Sequence, residues 1–151
     1  MLLFAHIIQS TKGHTLRKDQ IDDILSDLVH EMRRPHKKGL LLQVKTGEGK
    51  SSIIAVEASV WAFYGERSYI ITSNRILAEK DVIEFGTFYA MLGISVDHNI
   101  VKDGHQNLYK AYGCDIVYGQ LYDFHSHTVS DEFYGKVKIL RQLQTNKWHH
   151  F

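Results

Sequence analysis

Apolar residues recur along this chain in two alternating patterns, as short continuous runs and as longer stretches with helical spacing. The first helical stretch follows Gly13 and carries apolar residues three and four positions apart: Leu16, Ile21, Ile24, Leu25, Leu28, Val29 and Met32. Pro35 predicts the end of this helix, because proline disfavours helical backbone at the residue before it. The basic segment 33–38 is interpreted as a solvated turn, with a binding patch as the alternative.

The remaining pattern alternates strands with helices. Four short apolar runs predict strands: residues 39–43, 69–72, 94–96 and 115–119. Stretches with helical spacing separate these runs and close the chain: residues 51–64, 76–92, 108–112 and 137–143. Asn74 is a typical cap for the helix that follows it. The alternation predicts an α/β fold, in which a parallel sheet carries helices on both faces and binds ligands at the carboxyl ends of its strands.

Residues 44–51 read Val-Lys-Thr-Gly-Glu-Gly-Lys-Ser and join the first predicted strand to the next helix. Glycines in such a turn let backbone N–H groups point into one hollow, which the positive end of the helix also faces. The lysine adds a full positive charge, and the serine hydroxyl can bind magnesium. Candidate ligands of a triphosphate are therefore Thr46, Gly47, Glu48, Gly49, Lys50 and Ser51, with Ser51 also the candidate metal ligand. Val44 stands where the usual phosphate loop has glycine, and the alternative is an ordinary glycine-rich turn.

The composition is typical of one soluble globular domain. The chain has 151 residues, of which 44% are hydrophobic and 23% charged. A net charge of +1 argues against bulk attraction to nucleic acid or to an anionic membrane. Cys114 is the single cysteine, which excludes an intramolecular disulfide and favours a reducing compartment. No apolar run reaches the roughly 18 residues of a membrane span, and the apolar opening lacks the preceding positive charge of a signal peptide.

Three stretches together resemble one family of motor proteins. Residues 45–51 contain Thr-Gly-Glu-Gly-Lys followed by serine. Residues 72–81 read Thr-Ser-Asn-Arg-Ile-Leu-Ala-Glu-Lys-Asp, and residues 114–119 read Cys-Asp-Ile-Val-Tyr-Gly. In this order and spacing they resemble the nucleotide-binding core of the SecA-type protein translocase ATPases, which are helicase-like motors, over about residues 17–133. Gln120 departs from the threonine that the family has at this point.

The resemblance implies a RecA-like P-loop NTPase lobe that binds ATP or ADP with Mg²⁺. It divides the chain into an N-terminal segment (1–15), a nucleotide-binding lobe (16–133) and a helical tail (134–151). Full-length relatives would use ATP hydrolysis to move an unfolded polypeptide at a membrane translocon, so a place in the cytoplasm or at the membrane surface is expected. Arg17 and Gln20 match a family arginine and a glutamine that binds the adenine edge. An exposed polar position on the first helix is the alternative for Gln20.

The motifs of this chain lack the acidic pair that hydrolysis requires. Such an ATPase uses an aspartate to hold magnesium and a glutamate to orient water, at the end of a second apolar strand. The nearest match is Asp97, which a histidine follows. The family has its Asp-Glu motif further along than Phe151, so the chain is interpreted as an incomplete lobe that binds nucleotide weakly and turns over little. The alternatives are a nucleic-acid helicase lobe, against which the charge argues, and a catalytically incomplete binding or interaction module.

Ten histidines raise a metal site as an alternative. His125 and His127 would share one face of an extended segment, with His105 and Cys114 as further ligands. No Cys-x-x-Cys or His-Glu-x-x-His spacing supports this site, so solvated or half-buried loop histidines are the preferred interpretation. Cys114 precedes an apolar strand and is expected to pack against the core.

Overall fold

The computed structural model describes residues 2–33, 43–45, 47, 49–100 and 105–135. Its helices are α1 (Leu2–Lys12), α2 (Lys18–Arg33), α3 (Lys50–Phe63), α4 (Arg75–Met91), α5 (His105–Tyr112) and α6 (Leu121–Phe133). Its strands are β1 (Ser68–Thr72), β2 (Val96–His98) and β3 (Ile116–Gln120). The chain divides into two compact units, residues 1–60 and 61–151, and the boundary falls within α3. The predicted strand at 39–43, apart from Gln43, and the predicted tail helix at 137–143 lie outside the described residues.

The first unit contains α1, α2 and most of α3. The structure confirms the predicted first helix as α2, in which Ile24 and Leu28 are buried. Its buried face is narrower than the predicted apolar stripe, because Leu25 and Val29 are 42% and 43% exposed. The apolar opening of the chain, for which no element is predicted, forms α1 and buries three residues on one side: Phe4, Ile7 and Ile8.

The helix that follows the glycine turn, α3, is buried around most of its circumference. All described residues from Ser52 to Ser59 except Ile54 are buried. A helix segment that is buried on most sides needs apolar residues on more than one face, and the sequence Ile-Ile-Ala-Val supplies them. The buried polar residues include Ser59, which donates a hydrogen bond to the carbonyl oxygen of Ala55 at 2.7 Å, and Glu57.

The second unit is built on a parallel sheet with the strand order β1-β3-β2. Tyr69 pairs with Val117 and Ile70 with Tyr118 in the register of β1 and β3. The central strand β3 is buried from its first residue to Gly119. This sheet confirms the predicted parallel arrangement, although β2 begins two residues later than the third predicted strand.

Helices cover both faces of this sheet, as the alternating pattern predicts. Side chains alternate between the two faces of a strand, so neighbouring residues of β3 face opposite sides. On one face, Tyr118 contacts Tyr89 of α4 through a hydroxyl–hydroxyl hydrogen bond of 2.8 Å. On the other face, a cluster joins β1 and β3 to α5 and α6: Tyr69, Leu108, Tyr112, Val117 and Phe124.

The longest described helix, α4, begins at the predicted cap. The side chain of Asn74 accepts a hydrogen bond from the backbone N–H of Leu77 at 2.8 Å. The predicted apolar stripe of α4 is confirmed at Phe85 and Tyr89, whereas the polar residue Asp81 takes another of its buried positions. Within the described part of the chain, every helix is too short or too polar to cross a bilayer.

Candidate functional site

The turn before α3 has the backbone geometry that the glycine pattern predicts. Gly47 and Gly49 have φ angles of +84° and +74°, a region that side chains with a Cβ rarely occupy. The carbonyl oxygen of Gly49 accepts hydrogen bonds from the N–H groups of Ser52 and Ile53, at 3.0 and 3.3 Å, so Gly49 caps the N-terminus of α3. The N-terminal N–H groups of a helix attract anions, because they lack partners within the helix and carry the positive end of its dipole.

Two side chains of the predicted site lie on the first turn of α3. Lys50 is exposed, and its ammonium group donates a hydrogen bond to the carbonyl oxygen of Lys45 at 3.0 Å. Ser51 is half-buried and follows it directly. The positive charge of Lys50 and the hydroxyl of Ser51 therefore lie beside the glycine turn. The other two candidates in this loop, Thr46 and Glu48, lie outside the described residues.

Gln20 contacts the same turn from the start of α2. Its side chain is only 4% exposed, and its Oε1 accepts a hydrogen bond from the backbone N–H of Arg17 at 2.9 Å. This bond is one half of a capping box, in which the third helical residue reaches back to the residue before the helix. A Cβ on Gly49 would lie 2.5 Å from Nε2 of Gln20, so the amide occupies the space that a side chain would need. The exposed-position alternative for Gln20 is therefore wrong.

Glu57 on α3 is a titratable group of the first unit that belongs to none of the sequence motifs. This residue is 1% exposed, and its carboxyl group forms a hydrogen bond with Asp27 of α2. Burial, followed by the negative charges of Asp27 and Asp23, raises the pKa of Glu57 to about 9. Its carboxyl group is therefore neutral at pH 7 and donates the hydrogen bond. A single acidic residue within the apolar stretch 53–60 is the sequence signal that indicates such a group.

In the second unit, an ion pair joins the first turn of α4 to the first turn of α6. Arg75 donates from Nε to Oδ2 of Asp123 at 2.9 Å and from Nη2 to Oδ1. The Asp123 side chain is 2% exposed, whereas the Arg75 side chain is 55% exposed. Hydrogen bonding to Asp123 and its negative charge raise the pKa of Arg75. The buried carboxylate of Asp123 therefore has a charged partner that reaches it from the protein surface.

The Tyr-Gly pair of the third motif, Tyr118 and Gly119, packs against Tyr89 and Asn99 respectively. Asn99 is completely buried, and its Nδ2 donates to the hydroxyl of Tyr112 at 3.1 Å. A Cβ on Gly119 would overlap the amide group of Asn99. Tyr118 and Tyr89 are hydrogen-bonded on the other face of the strand, and burial raises the pKa of both phenols. Among the described residues, this motif therefore contributes packing around β3.

The histidines of the metal alternative do not lie on an extended segment. His125 and His127 belong to α6, and residues two positions apart in a helix face different directions. Nδ1 of His127 lies 3.2 Å from the hydroxyl of Tyr112. Cys114 is partly buried against the core, as predicted, and burial raises the pKa of its thiol. No three His, Cys, Asp or Glu side chains come together as metal ligands within the described part of the chain.

Asp97, the nearest match to a magnesium-binding acid, lies on β2. It is half-buried, and its Oδ1 accepts a hydrogen bond from the backbone N–H of His98 at 2.8 Å. The three described strands end in Thr72, His98 and Gln120, so none of them ends in the Asp-Glu pair.

The profile of the SecA DEAD-like domain family matches residues 21–146 of this chain. The protein translocase subunit SecA of Maridesulfovibrio salexigens is 33% identical over 161 residues, which cover 93% of this chain and 19% of that protein. SecA of Azoarcus sp. is 34% identical over 122 residues, which cover 80% of this chain and 13% of that protein. The chain thus spans a fifth or less of the length of these curated relatives.

A solved structure is similar over nearly the whole chain. The crystal structure of a hypothetical ATP-dependent RNA helicase from Sulfolobus tokodaii matches 97% of this chain and 48% of that chain, with a TM-score of 0.63. The sequence identity is 16%, so the match describes the fold alone. Together with the parallel sheet covered by helices on both faces, it indicates a RecA-like fold.

Proposed function

Because the chain belongs to the SecA DEAD-like domain family, we propose that its first unit binds the phosphates of ATP or ADP together with Mg²⁺. One observation carries this proposal, the glycine turn at the N-terminus of α3. Gly47 and Gly49 have positive φ angles there, and Lys50 and Ser51 occupy the first helical turn. Backbone N–H groups, a lysine and a hydroxyl at a helix N-terminus are the combination that suits a phosphate chain.

Each part of the turn has a distinct role in this proposal. Lys50 exchanges its hydrogen bond to the Lys45 carbonyl for one to a phosphate oxygen, which is the stronger acceptor because it is charged. The hydroxyl oxygen of Ser51 is a hard ligand of the kind that Mg²⁺ prefers. Bound Mg²⁺ would neutralise part of the phosphate charge. Thr46 and Glu48 complete the loop that we propose.

Gln20 is proposed to recognise the adenine ring beside this turn. Its Oε1 already accepts one hydrogen bond from Arg17, but an amide oxygen has a second lone pair, and Nε2 carries two donors. One primary amide can therefore donate to a ring nitrogen and accept from the exocyclic amine of adenine. The proximity of Gln20 to Gly49 supports this role, because it brings the amide to the loop that would hold the phosphates. Arg17 is exposed at the start of α2 and would lie at the edge of the base.

Nucleotide binding is tested by titrating the whole chain with a fluorescent ADP or ATP analogue in the presence of Mg²⁺. We expect Lys50→Ala to weaken binding by about tenfold or more, because a charge-assisted hydrogen bond contributes roughly 1.5–3 kcal/mol. Lys45→Ala is the matched control, since it removes a lysine of the same segment and leaves its backbone carbonyl in place. Equal affinity of the wild type and Lys50→Ala would overturn the proposed phosphate site.

We further propose that this chain alone hydrolyses ATP slowly. The described strands offer no Asp-Glu pair, and Asp97 already accepts a hydrogen bond from the backbone of its neighbour. Steady-state ATPase assays test this proposal, with Lys50→Ala as the background. Turnover well above that background would contradict it, and Asp97→Asn would then show whether Asp97 supplies the missing carboxylate.

In the full-length protein, we propose that this lobe belongs to a motor that couples ATP hydrolysis to polypeptide translocation. The proposal extends the activity named for the SecA relatives to a chain that spans a fifth or less of their length. An unfolded polypeptide and a membrane translocon are the corresponding partners, and the cytoplasmic side of a membrane is the corresponding place. Nucleotide-dependent binding of a purified unfolded polypeptide to the longer protein tests this role, and identical binding with and without ATP would count against it.

A further inference from the structure

We propose that Glu57 is a positioning residue for the nucleotide site: its hydrogen bond to Asp27 holds the start of α2, with Gln20, against the phosphate loop at the start of α3. The inference rests on the proposed nucleotide site and adds to it a residue that does not touch the ligand. Neither Glu57 nor Asp27 belongs to the motifs from which the site is recognised.

The two helices contact each other at two levels. At the first level, the Gln20 amide lies against Gly49, so closely that a Cβ on the glycine would lie 2.5 Å from Nε2. At the second level, the carboxyl group of Glu57 is hydrogen-bonded to Asp27. Asp27 comes seven residues after Gln20, and Glu57 comes eight residues after Gly49. At about 1.5 Å per residue these intervals are similar, roughly 10 and 12 Å, so α2 and α3 run side by side in the same direction here.

This arrangement couples the second contact to the first. Gln20 and Asp27 are seven residues apart and therefore lie on the same face of α2. A shift or rotation of α2 that breaks the hydrogen bond between Asp27 and Glu57 also moves the Gln20 amide relative to the loop. Because Glu57 is 1% exposed, water cannot easily replace Asp27 as its partner.

The contact depends on a proton on Glu57. Burial and the neighbouring carboxylates Asp27 and Asp23, both on α2, raise the pKa of Glu57 to about 9. At neutral pH the carboxyl group is protonated and donates to Asp27. Loss of this proton at higher pH replaces the hydrogen bond with repulsion between two carboxylates, which separates the helices at this level. We therefore expect Gln20 to leave its position as pH rises through the pKa of Glu57.

The first test needs no nucleotide. NMR spectra of the full chain, labelled on glutamate carboxyl carbons and glutamine amides, are recorded between about pH 7 and about pH 9.5. The Glu57 carboxyl signal should titrate near the upper end of this range, and the Gln20 amide signal should shift with the same midpoint. In Glu57→Gln, which keeps a hydrogen-bond donor but cannot lose a proton, the Gln20 signal should stay constant. Asp22→Asn, which removes an exposed carboxylate of α2, should behave like the wild type.

The second test measures the affinity for a fluorescent ADP analogue over the same pH range. The wild type should lose affinity by about fivefold or more, whereas Glu57→Gln should change less than about twofold. Any effect of pH on the nucleotide analogue itself is shared by both proteins and cancels in the comparison. Glu57→Leu, if it folds, should bind more weakly already at neutral pH.

These outcomes separate the positioning role from the nucleotide site itself. The positioning role is overturned if the Gln20 amide signal does not shift as Glu57 titrates, or if it shifts equally in Glu57→Gln. This holds for any result of the nucleotide-affinity measurements. If the wild type and Lys50→Ala bind nucleotide equally poorly, the proposed function fails. The Gln20 signal then decides alone whether Glu57 holds α2 in place.

Discussion

Gln20 and Gly49 are the residues on which the candidate site depends most directly. The amide of Gln20 is buried, is held by the N–H of Arg17 and occupies the space beside the Gly49 α-carbon. Gly49 therefore satisfies two requirements, a positive φ angle and the absence of a Cβ. Gly47 satisfies only the first, because a Cβ on it would meet no atom within 4 Å. This difference makes the two glycines a matched pair for mutation.

We predict that Gly49→Ala weakens nucleotide binding and thermal stability more than Gly47→Ala does. Each alanine costs roughly 1–2 kcal/mol for its positive φ angle. At Gly49, displacement of the Gln20 side chain adds about 1–3 kcal/mol, typical of an overpacked buried position. Thermal unfolding and titration with the fluorescent analogue measure the two effects. Equal losses in the two variants would show that Gln20 does not constrain the loop.

At the scale of elements, several polar contacts of the second unit lie at the carboxyl ends of its strands. The pair formed by Arg75 and Asp123 connects the N-termini of α4 and α6, and Thr72 donates from Oγ1 to the carbonyl oxygen of Asn74 at 2.9 Å. The Asn99 side chain lies against Gly119 and is hydrogen-bonded to Tyr112 of α5. The glycine of the third motif therefore has a structural explanation in this unit. Gly119 has no side chain, and the buried amide of Asn99 packs directly against its backbone.

We predict that Gly119→Ala lowers the free energy of unfolding by about 1–3 kcal/mol. The new methyl group must displace the Asn99 amide and break its hydrogen bond to Tyr112. Gly86→Ala is the control, because a Cβ there meets nothing within 4 Å and alanine favours the interior of α4. That variant should be more stable than the wild type by up to about 1 kcal/mol. Chemical denaturation measures both changes, and a neutral Gly119→Ala would argue against the Asn99 contact.

For the molecule as a whole, Glu57 makes stability depend on pH. Its pKa is about 9 in the folded protein and 4.5 in the reference state, so between these values the folded chain binds a proton that the unfolded chain has lost. Stability from this group is fully present below about pH 4.5 and decreases as pH rises toward about pH 9. The physical cause is a buried carboxyl group that the fold keeps neutral.

We predict that Glu57→Gln stabilises the chain at neutral and alkaline pH and flattens its pH dependence between about pH 5 and about pH 9. The full linkage slope is about 1.4 kcal/mol per pH unit, and relaxation of the buried pair would reduce it. Denaturation midpoints across this range measure the slope, with Asp22→Asn as the control for removal of an exposed carboxylate. An unchanged slope in Glu57→Gln would contradict the raised pKa.

Much of this protein follows from the sequence by itself, because the responsible interactions are local. The spacing of Ile24 and Leu28 predicts α2, Asn74 predicts the start of α4, and glycines at 47 and 49 predict the turn before α3. Alternating strands and helices also predict the parallel sheet. Periodicity, caps and turns are properties of residues close together in the chain, and a single sequence contains them in full.

Only the tertiary structure decides which distant residues meet. Asp27 and Glu57 lie on different helices, Arg75 and Asp123 are separated by 48 positions, and β3 lies between β1 and β2 although it comes last in the chain. The conformation of His125 and His127 also depends on the tertiary structure. They belong to α6, which packs against β3, and are therefore helical where the sequence suggested an extended segment. Burial and the pairing of charges depend on the arrangement of the helices and strands in space. The glycine turn is therefore predictable from the sequence, whereas the buried proton on Glu57 and the position of Gln20 against Gly49 depend on the fold.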